Sequence, residues 1–397
     1  MCLTATTLSA DATTSDPPSL LPPLPPFVLM NTRLLLLPPL AAALVSVGHA
    51  VVPAFVQHVV VYHEAGRFGG WPANNGVWAW GDEIAVGFSR TWFKDNPDEH
   101  STDRTKPGVT SIARSKDGGL TWSIADHPEF SRNEVQRLAE PLDFTQPGLA
   151  LRVRDRVFFV SRDRGRQWAG PYAFPDFNLG NALTSRTDYL VQGRDDCLLF
   201  LSVKDERVQA GIQDRAFCAR TTDGGRTFAL QGWMTGEPLN VRAVMPATVR
   251  SADGGLVSLL RRRYDPKTDF RNDINWIDAY GSKDDGRTWG FLARIAYTDT
   301  AMHNGNPPSL VRLPDGRLVA AYGVRSKPYG IRARVSADHG KSWGPEFLLR
   351  DDARTWDIGY CRSVVRADGR IVTIYYYATA AHYENHIAAT IWSPPRG

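Results

Sequence analysis

The chain has 397 residues, 43% of them hydrophobic and 22% charged, with a net charge of +4. That is the composition of a globular protein, and the charge is too slight to point to nucleic acid. The length suits one large domain or two ordinary ones, and the 12 Trp and 13 Tyr suit both aromatic packing and sugar stacking.

Residues 1–29 are rich in Pro, Ser and Thr and read as unstructured. The character changes at Met30. Met30-Asn-Thr-Arg33 makes a short positive n-region, and Leu34 to Val47 an apolar stretch interrupted by Pro38 and Pro39. Gly48-His-Ala50 supplies the small residues of a cleavage site. Residues 30–50 therefore read as a Sec-type signal peptide, leaving a secreted or periplasmic protein that begins near Val51. The first 29 residues are then either a misassigned upstream start or a genuine extension. No other segment stays apolar for about 18 residues, so no transmembrane helix is expected.

Beyond Val51, short apolar runs alternate with turn residues. Val56–Tyr62 reads as a strand. Gly81-Asp82 marks a turn, and a long insertion, Arg90–Gly108, precedes the octapeptide Ser115-Lys-Asp117-Gly-Gly119-Leu-Thr121-Trp122. Four relatives of that octapeptide follow. They are Ser161-Arg-Asp163-Arg-Gly165-Arg-Gln167-Trp168, Thr221-Thr-Asp223-Gly-Gly225-Arg-Thr227-Phe228, Ser282-Lys-Asp284-Asp-Gly286-Arg-Thr288-Trp289 and Ser336-Ala-Asp338-His-Gly340-Lys-Ser342-Trp343. The shared form is S/T-x-D-x-G-x-T-W. The Asp is expected to cap its own turn by accepting backbone N–H groups, the Gly to take a positive φ, and the aromatic to pack beneath. Asp117, Asp163, Asp223, Asp284 and Asp338 are thus read as structural. A repeat of about 50 residues, each rich in short strands, signals a β-propeller.

Hairpin turns fix the blades: Ala252-Asp-Gly254, Pro314-Asp-Gly316 and Ala367-Asp-Gly369, each between strand-like runs. They predict an all-β, six-bladed propeller over 51–397. The blades run from about Trp71 to Ser123, Gly148 to Pro171, Leu183 to Leu230, Val241 to Ala293, Pro307 to Leu349 and Tyr360 to Trp392. Val56–Tyr62 is expected to complete the sixth and close the ring. The odd count of Cys197, Cys218 and Cys361 argues against a disulfide scaffold; Cys197 and Cys218 either pair or remain buried thiols.

Propeller sites form where inner strands and their loops open onto one face of the channel. The polar candidates there are Arg67, Asp103-Arg104, Arg186, Asp188, Arg242, Arg261-Arg-Arg263, His303-Asn304, Arg325, Arg332, Asp357, Tyr360 and Arg362. No Cys/His cluster has ligand spacing and no Gly-rich phosphate loop is present, so neither metal nor cofactor is expected.

The octapeptide resembles the Asp-box of the sialidase-type, BNR-repeat superfamily, and five copies extend the resemblance over the whole mature chain. The resemblance implies six blades and an exo-glycosidase that releases a terminal acidic sugar from a glycan. An arginine triad would hold the substrate carboxylate, because a guanidinium forks onto a carboxylate. Arg67 ahead of Trp71-Pro72, Arg262 at the end of a blade-four strand, and Arg325 or Arg332 in blade five stand at the matching places. Gly359-Tyr360-Cys361 matches the motif of the family's tyrosine nucleophile, and Asp103 the acid/base, with Asp95 and Asp98 as competitors. One feature departs from the pattern. Where the family places a Glu that activates the Tyr, this chain has Asn240-Val-Arg242; Glu237 is near in sequence but expected outside the channel, and Asp188 or Asp357 would have to substitute. Two other readings stay open: a lyase on a uronate polymer, with His303 and Tyr360 abstracting the proton α to a carboxylate, and a non-catalytic glycan-binding propeller.

Overall fold

The computed structural model describes residues 53–179, 182–204, 214–236, 241–264, 274–299 and 304–395. The expected extension 1–29 and signal peptide 30–50, and also Glu237 and His303, lie outside these residues. Alternation of apolar and polar residues builds six antiparallel sheets arranged as the blades of a propeller.

The first strand, β1 (Phe55–Tyr62), belongs to the last blade. Blade one holds β2 (Arg67–Gly70), β3 (Val77–Trp80), β4 (Glu83–Trp92), β5 (Val109–Ser115) and β6 (Ser123–Asp126). Its inner edge is broken: β2 and β3 both pair with β4, and a 3-10 turn at Pro72–Asn74 separates them. Because β4 runs on to Trp92, the predicted insertion is a loop over 93–108.

Blade two is three-stranded, with β7 (Ala150–Arg154), β8 (Val157–Ser161) and β9 (Ala169–Ala173). Blade three is β10 (Tyr189–Val191), β11 (Cys197–Lys204), β12 (Asp214–Thr221) and β13 (Ala229–Trp233). Blade four is β14 (Val241–Arg250), β15 (Leu256–Tyr264), β16 (Ile274–Ser282) and β17 (Gly290–Asp299). Blade five is β18 (Ser309–Arg312), β19 (Leu318–Val324), β20 (Gly330–Ser336) and β21 (Phe347–Arg350). Blade six is β22 (Gly359–Val365), β23 (Ile371–Tyr377) and β24 (His386–Ser393), and β1 pairs with β24 as its outer strand. The closure expected of Val56–Tyr62 is therefore present, in register from Phe55 opposite Ser393.

The octapeptides behave alike. In the blade-five copy Asp338 Oδ1 accepts the Ser342 N–H at 2.8 Å, Ser336 Oγ accepts the Gly340 N–H at 2.9 Å, and Trp343 Nε1 donates to the Gly340 carbonyl at 3.1 Å. Gly286 shows why the glycine is needed. Its φ is +86°, and a Cβ there would lie 2.6 Å from Cys218 Sγ. Cys197 and Cys218 are buried free thiols. Their strands are neighbours, but Cys197 stands opposite Thr221 and Cys218 opposite Phe200, which is out of register for a bridge. The three predicted hairpin turns close on 3.0 Å bonds from Gly254 to Ser251, Gly316 to Leu313 and Gly369 to Arg366.

Candidate active site

Three inner edges each carry a bulky residue with left-handed backbone. Trp71, Met245 and Tyr360, in blades one, four and six, have φ of 57°, 56° and 51°, conformations that bulky residues rarely adopt. The β14–β15 register slips between Val244 and Ala247, and the β22–β23 register between Gly359 and Arg362. Each bulge re-aims a side chain toward the channel. The one at Tyr360 is pinned by the buried Asn306, whose Oδ1 accepts the Tyr360 N–H at 2.9 Å. Gly359 has to be glycine because a Cβ would meet that same oxygen at 2.2 Å.

Tyr360 is 8% exposed, and its hydroxyl accepts a 3.3 Å hydrogen bond from Arg261 Nη1. The guanidinium of Arg325 lies 5.6 Å from its ring centre and that of Arg261 5.9 Å. Burial works to raise the phenol's pKa, but Arg261, Arg325 and Arg242 outweigh it and hold the hydroxyl below the usual phenol range. Burial pulls Arg261 down to about 10, against the attraction of Tyr360.

Strand parity decides which arginine of β15 reaches this place. Arg261 and Arg263 point one way, to Tyr360 and to Asn304 Oδ1 at 2.6 Å. Arg262 points the other way, to the Tyr280 hydroxyl at 3.1 Å and to Asp278 at 3.9 Å. The expectation for Arg262 thus moves to Arg261. On the buried Arg261, Nε and Nη2 have no hydrogen-bond partner among the described residues.

Arg325 is committed to the protein. It donates to the Ile358 and Asn304 carbonyls and, at 2.6 Å, to the Tyr376 hydroxyl. Arg242 is bound to the buried Asp214 at 2.5 Å, which neutralises the cation standing where an acid was expected. Arg332 is tied to Glu346 at 2.7 Å and to the Pro328 carbonyl, both in blade five. Arg67 lies over the Trp92 ring at 4.2 Å, in blade one. Arg362 reaches across the channel to the Ala73 and Thr187 carbonyls at 2.9 and 3.0 Å. Asp188 accepts from the Thr248 hydroxyl at 2.8 Å and, with Arg362, lines a channel cavity of about 350 Å³. Structure therefore groups Tyr360 with Arg261, Arg325 and Arg242, and sets Arg67, Arg262 and Arg332 on other partners.

The sequence of residues 148–374, more than half of the chain, matches the family described as BNR repeat-like domain. The chain belongs to that family.

As a BNR repeat-like propeller it has solved structural relatives at low identity. A protein of unknown function from Dyadobacter fermentans is 19% identical with a TM-score of 0.62, over 86% of this chain and 99% of that one. The α-L-arabinanase of Penicillium chrysogenum complexed with arabinobiose is 12% identical with a TM-score of 0.56, over 85% and 97%. The NanB sialidase of Streptococcus pneumoniae, as a K499G mutant, is 11% identical with a TM-score of 0.54, over 84% and 70%. At these identities the likeness is one of fold. No protein of curated function matches the sequence.

In this BNR-repeat propeller the insertion loop brings a residue that sequence reasoning passed over. His100 Nδ1 lies 2.6 Å from Asp357 Oδ1, and its ring is 5.2 Å from Trp71 and 5.8 Å from Trp356. Asp357 is fully buried and also accepts the Ser101 N–H at 3.0 Å and the Tyr376 hydroxyl at 2.5 Å. Asp103 turns back on its own loop, accepting from the Thr105 hydroxyl at 2.6 Å and N–H at 3.1 Å, with Lys106 at 3.5 Å. Those Thr105 bonds hold its carboxyl below the usual range, an ionised state that opposes proton donation. Of its competitors, Asp95 is bound by the Tyr383 hydroxyl and Asp98 is exposed. The sequence signal for His100 is its place in the long loop.

Proposed function

We propose that the protein is a glycoside hydrolase acting on a glycan that ends in a carboxylate-bearing sugar, with Tyr360 as nucleophile. The observation that carries this reading is the orientation of Arg261. Nη1 is engaged by the Tyr360 hydroxyl, while Nε and Nη2, the edge that forks onto a carboxylate, have no partner among the described residues. A buried guanidinium edge without a partner is costly, and a substrate carboxylate would relieve that cost. It would also lie beside the nucleophile. A sugar whose reacting carbon bears a carboxylate repels a carboxylate nucleophile, which makes a phenol the suitable group.

The missing activating Glu fits the same picture. Asp188 bonds Thr248 and Asp357 bonds Tyr376, so neither is the recorded partner of the Tyr360 hydroxyl. The three arginines lower its pKa instead. Attack by the Tyr360 oxygen would give a covalent glycosyl-enzyme, and its hydrolysis would return the sugar with retained configuration.

A lyase would use the same pair differently: Arg261 would neutralise a uronate and Tyr360 would take the α-proton. Incubation with sialylated and uronate-terminated oligosaccharides separates the readings. Release of a saturated acidic monosaccharide of retained configuration supports the hydrolase. An unsaturated uronate product overturns it for the lyase, and binding without turnover overturns both. If residues 30–50 act as the expected signal peptide, the activity is exported, and N-terminal sequencing of exported protein should begin near Val51.

A further inference from the structure

We propose that His100 is the proton donor to the leaving group, and that Asp357 is its positioning residue. This rests on the hydrolase reading above.

The loop over 93–108 is fastened to blade six at several points besides the imidazole. Trp356 Nε1 donates to the Pro97 carbonyl at 2.7 Å, and Ser101 N–H donates to Asp357 Oδ2 at 3.0 Å. His100 is thereby held over the channel face, against Trp71, which occupies the distorted inner edge of blade one. Trp71 and Tyr360 pack on the same apolar cluster as Tyr376, whose ring lies 5.9 Å from that of Tyr360. The loop thus carries an imidazole to the aromatic group of Trp71 and Tyr376 against which the nucleophile packs.

Asp357 fixes the imidazole's chemistry. A carboxylate on Nδ1 holds a proton there and orients the ring. Burial would raise the Asp357 carboxyl, but His100, Arg325 and the Tyr376 hydroxyl hold it below the usual range, so it stays an anion. The charged or titratable groups facing the pair are Arg325, 3.9 Å from Asp357 Oδ1, and Tyr376. The His100 side chain keeps 27% of its surface exposed, whereas that of Asp357 keeps none. The imidazole can therefore meet a substrate and the carboxylate cannot.

The proton balance closes. In the first step Tyr360, ionised to the phenolate beside Arg261 and Arg325, bonds through its oxygen to the anomeric carbon, the bond from that carbon to the leaving oxygen breaks, and Nε2 of the His100 imidazolium protonates that oxygen. In the second step water bonds to the anomeric carbon, the bond to Tyr360 breaks, and His100 takes the proton of the water. No oxidant, metal or further reactant is needed.

The experiment compares leaving groups. Full-length wild type and His100→Ala are assayed on an alkyl and a 2,4-dinitrophenyl α-glycoside of N-acetylneuraminic acid and on the same pair for glucuronic acid. A phenol as acidic as dinitrophenol leaves without a proton, so loss of the donor should not slow its departure. On the alkyl glycoside kcat/KM should fall by at least about 10²-fold, on the dinitrophenyl glycoside by less than about 10-fold, and the alkaline limb of the pH–rate profile should flatten. Equal losses on both substrates, or wild-type rates on both, overturn the proposal while leaving the hydrolase reading intact. A wild type that turns over none of the four overturns the hydrolase reading, and this proposal falls with it. His100→Gln and a thermal melt guard against misfolding: a Gln variant that melts like wild type but keeps full activity on the alkyl glycoside also overturns it. Asp357→Asn should slow kcat and shift the pH profile with KM little changed, and an unshifted profile would remove its positioning role.

Discussion

The pairing of Tyr360 with Arg261 turns on single atoms. Tyr360→Phe removes one hydroxyl and keeps a ring that packs among Val244, Met245 and Tyr376. The expected result is a rate at least about 10²-fold lower with an unchanged melting temperature. Activity within a few-fold of wild type would end any chemical role for blade six. The arginines of β15 offer a paired comparison. Arg261→Lys keeps the charge but loses the fork, so affinity for an acidic sugar should drop by roughly one to two orders of magnitude, from a charge-assisted bond of about 1.5–3 kcal/mol. Arg262→Lys should leave that affinity near wild type, because Arg262 faces Tyr280 and Asp278. Titration with N-acetylneuraminic acid and glucuronic acid distinguishes them, and equal effects would refute the assignment. Nothing in the run Arg261-Arg-Arg263 says which residue faces the channel. Parity along β15 is set by the bulge at Met245-Pro246 and by the β14–β15 register, both properties of the partner strand.

At the scale of the element, much was legible. The octapeptides declare their own turns because each bond is local. Ser336, Asp338, Gly340 and Ser342 satisfy one another within seven residues, so spacing alone carries the conformation. The same locality makes them structural. Ser336→Ala strands the buried Gly340 N–H and should lower stability by about 1–3 kcal/mol without changing turnover per folded molecule. Denaturant unfolding beside active-site titration checks both halves; an activity loss at unchanged stability would show that the turn reaches the site. The loop over 93–108 was legible only as a length. Its fastening to Trp356 and Asp357 spans 256 to 259 residues of sequence, and no local pattern encodes such a contact. For that reason His100 was missed and Asp103, a self-capping turn residue, was chosen.

Across the whole molecule, buried ionisable groups write opposing terms into the pH profile. Burial pushes Asp188 up to about 7, despite the pull of Arg362. With the folded value above the unfolded 3.8, its contribution is complete below that pH and is lost as pH rises through 7. His386 works oppositely: burial pulls it from 6.5 down to about 4, and its contribution is lost as pH falls through that interval. The two offset each other in the wild type, so removal of one exposes the other. Asp188→Asn cannot ionise, and its stability relative to wild type should rise by about 4 kcal/mol between pH of about 4 and about 8. Urea unfolding at both pH values measures the difference, and a constant offset would mean that Asp188 is ionised throughout.

The pairing of β1 with β24 has a consequence in time. His58 and Thr390 share a hydrogen bond across 332 residues of chain. Among the described strands, synthesis delivers β1 first and its partner last, so the earliest of them is the last to find its place. Until then five blades can assemble while the sixth lacks its outer strand, and both β1 and β24 present unpaired edges able to recruit another chain. Loop entropy grows only with the logarithm of length, so the wait is a matter of rate and exposure more than of stability. A chain cut to begin at Gly66 would carry that bare β24 edge permanently. It should elute from a sizing column as aggregates, and adding a synthetic Phe55–Tyr62 peptide should restore the elution volume of the uncut chain, the missing strand docking from solution as it does from its own chain.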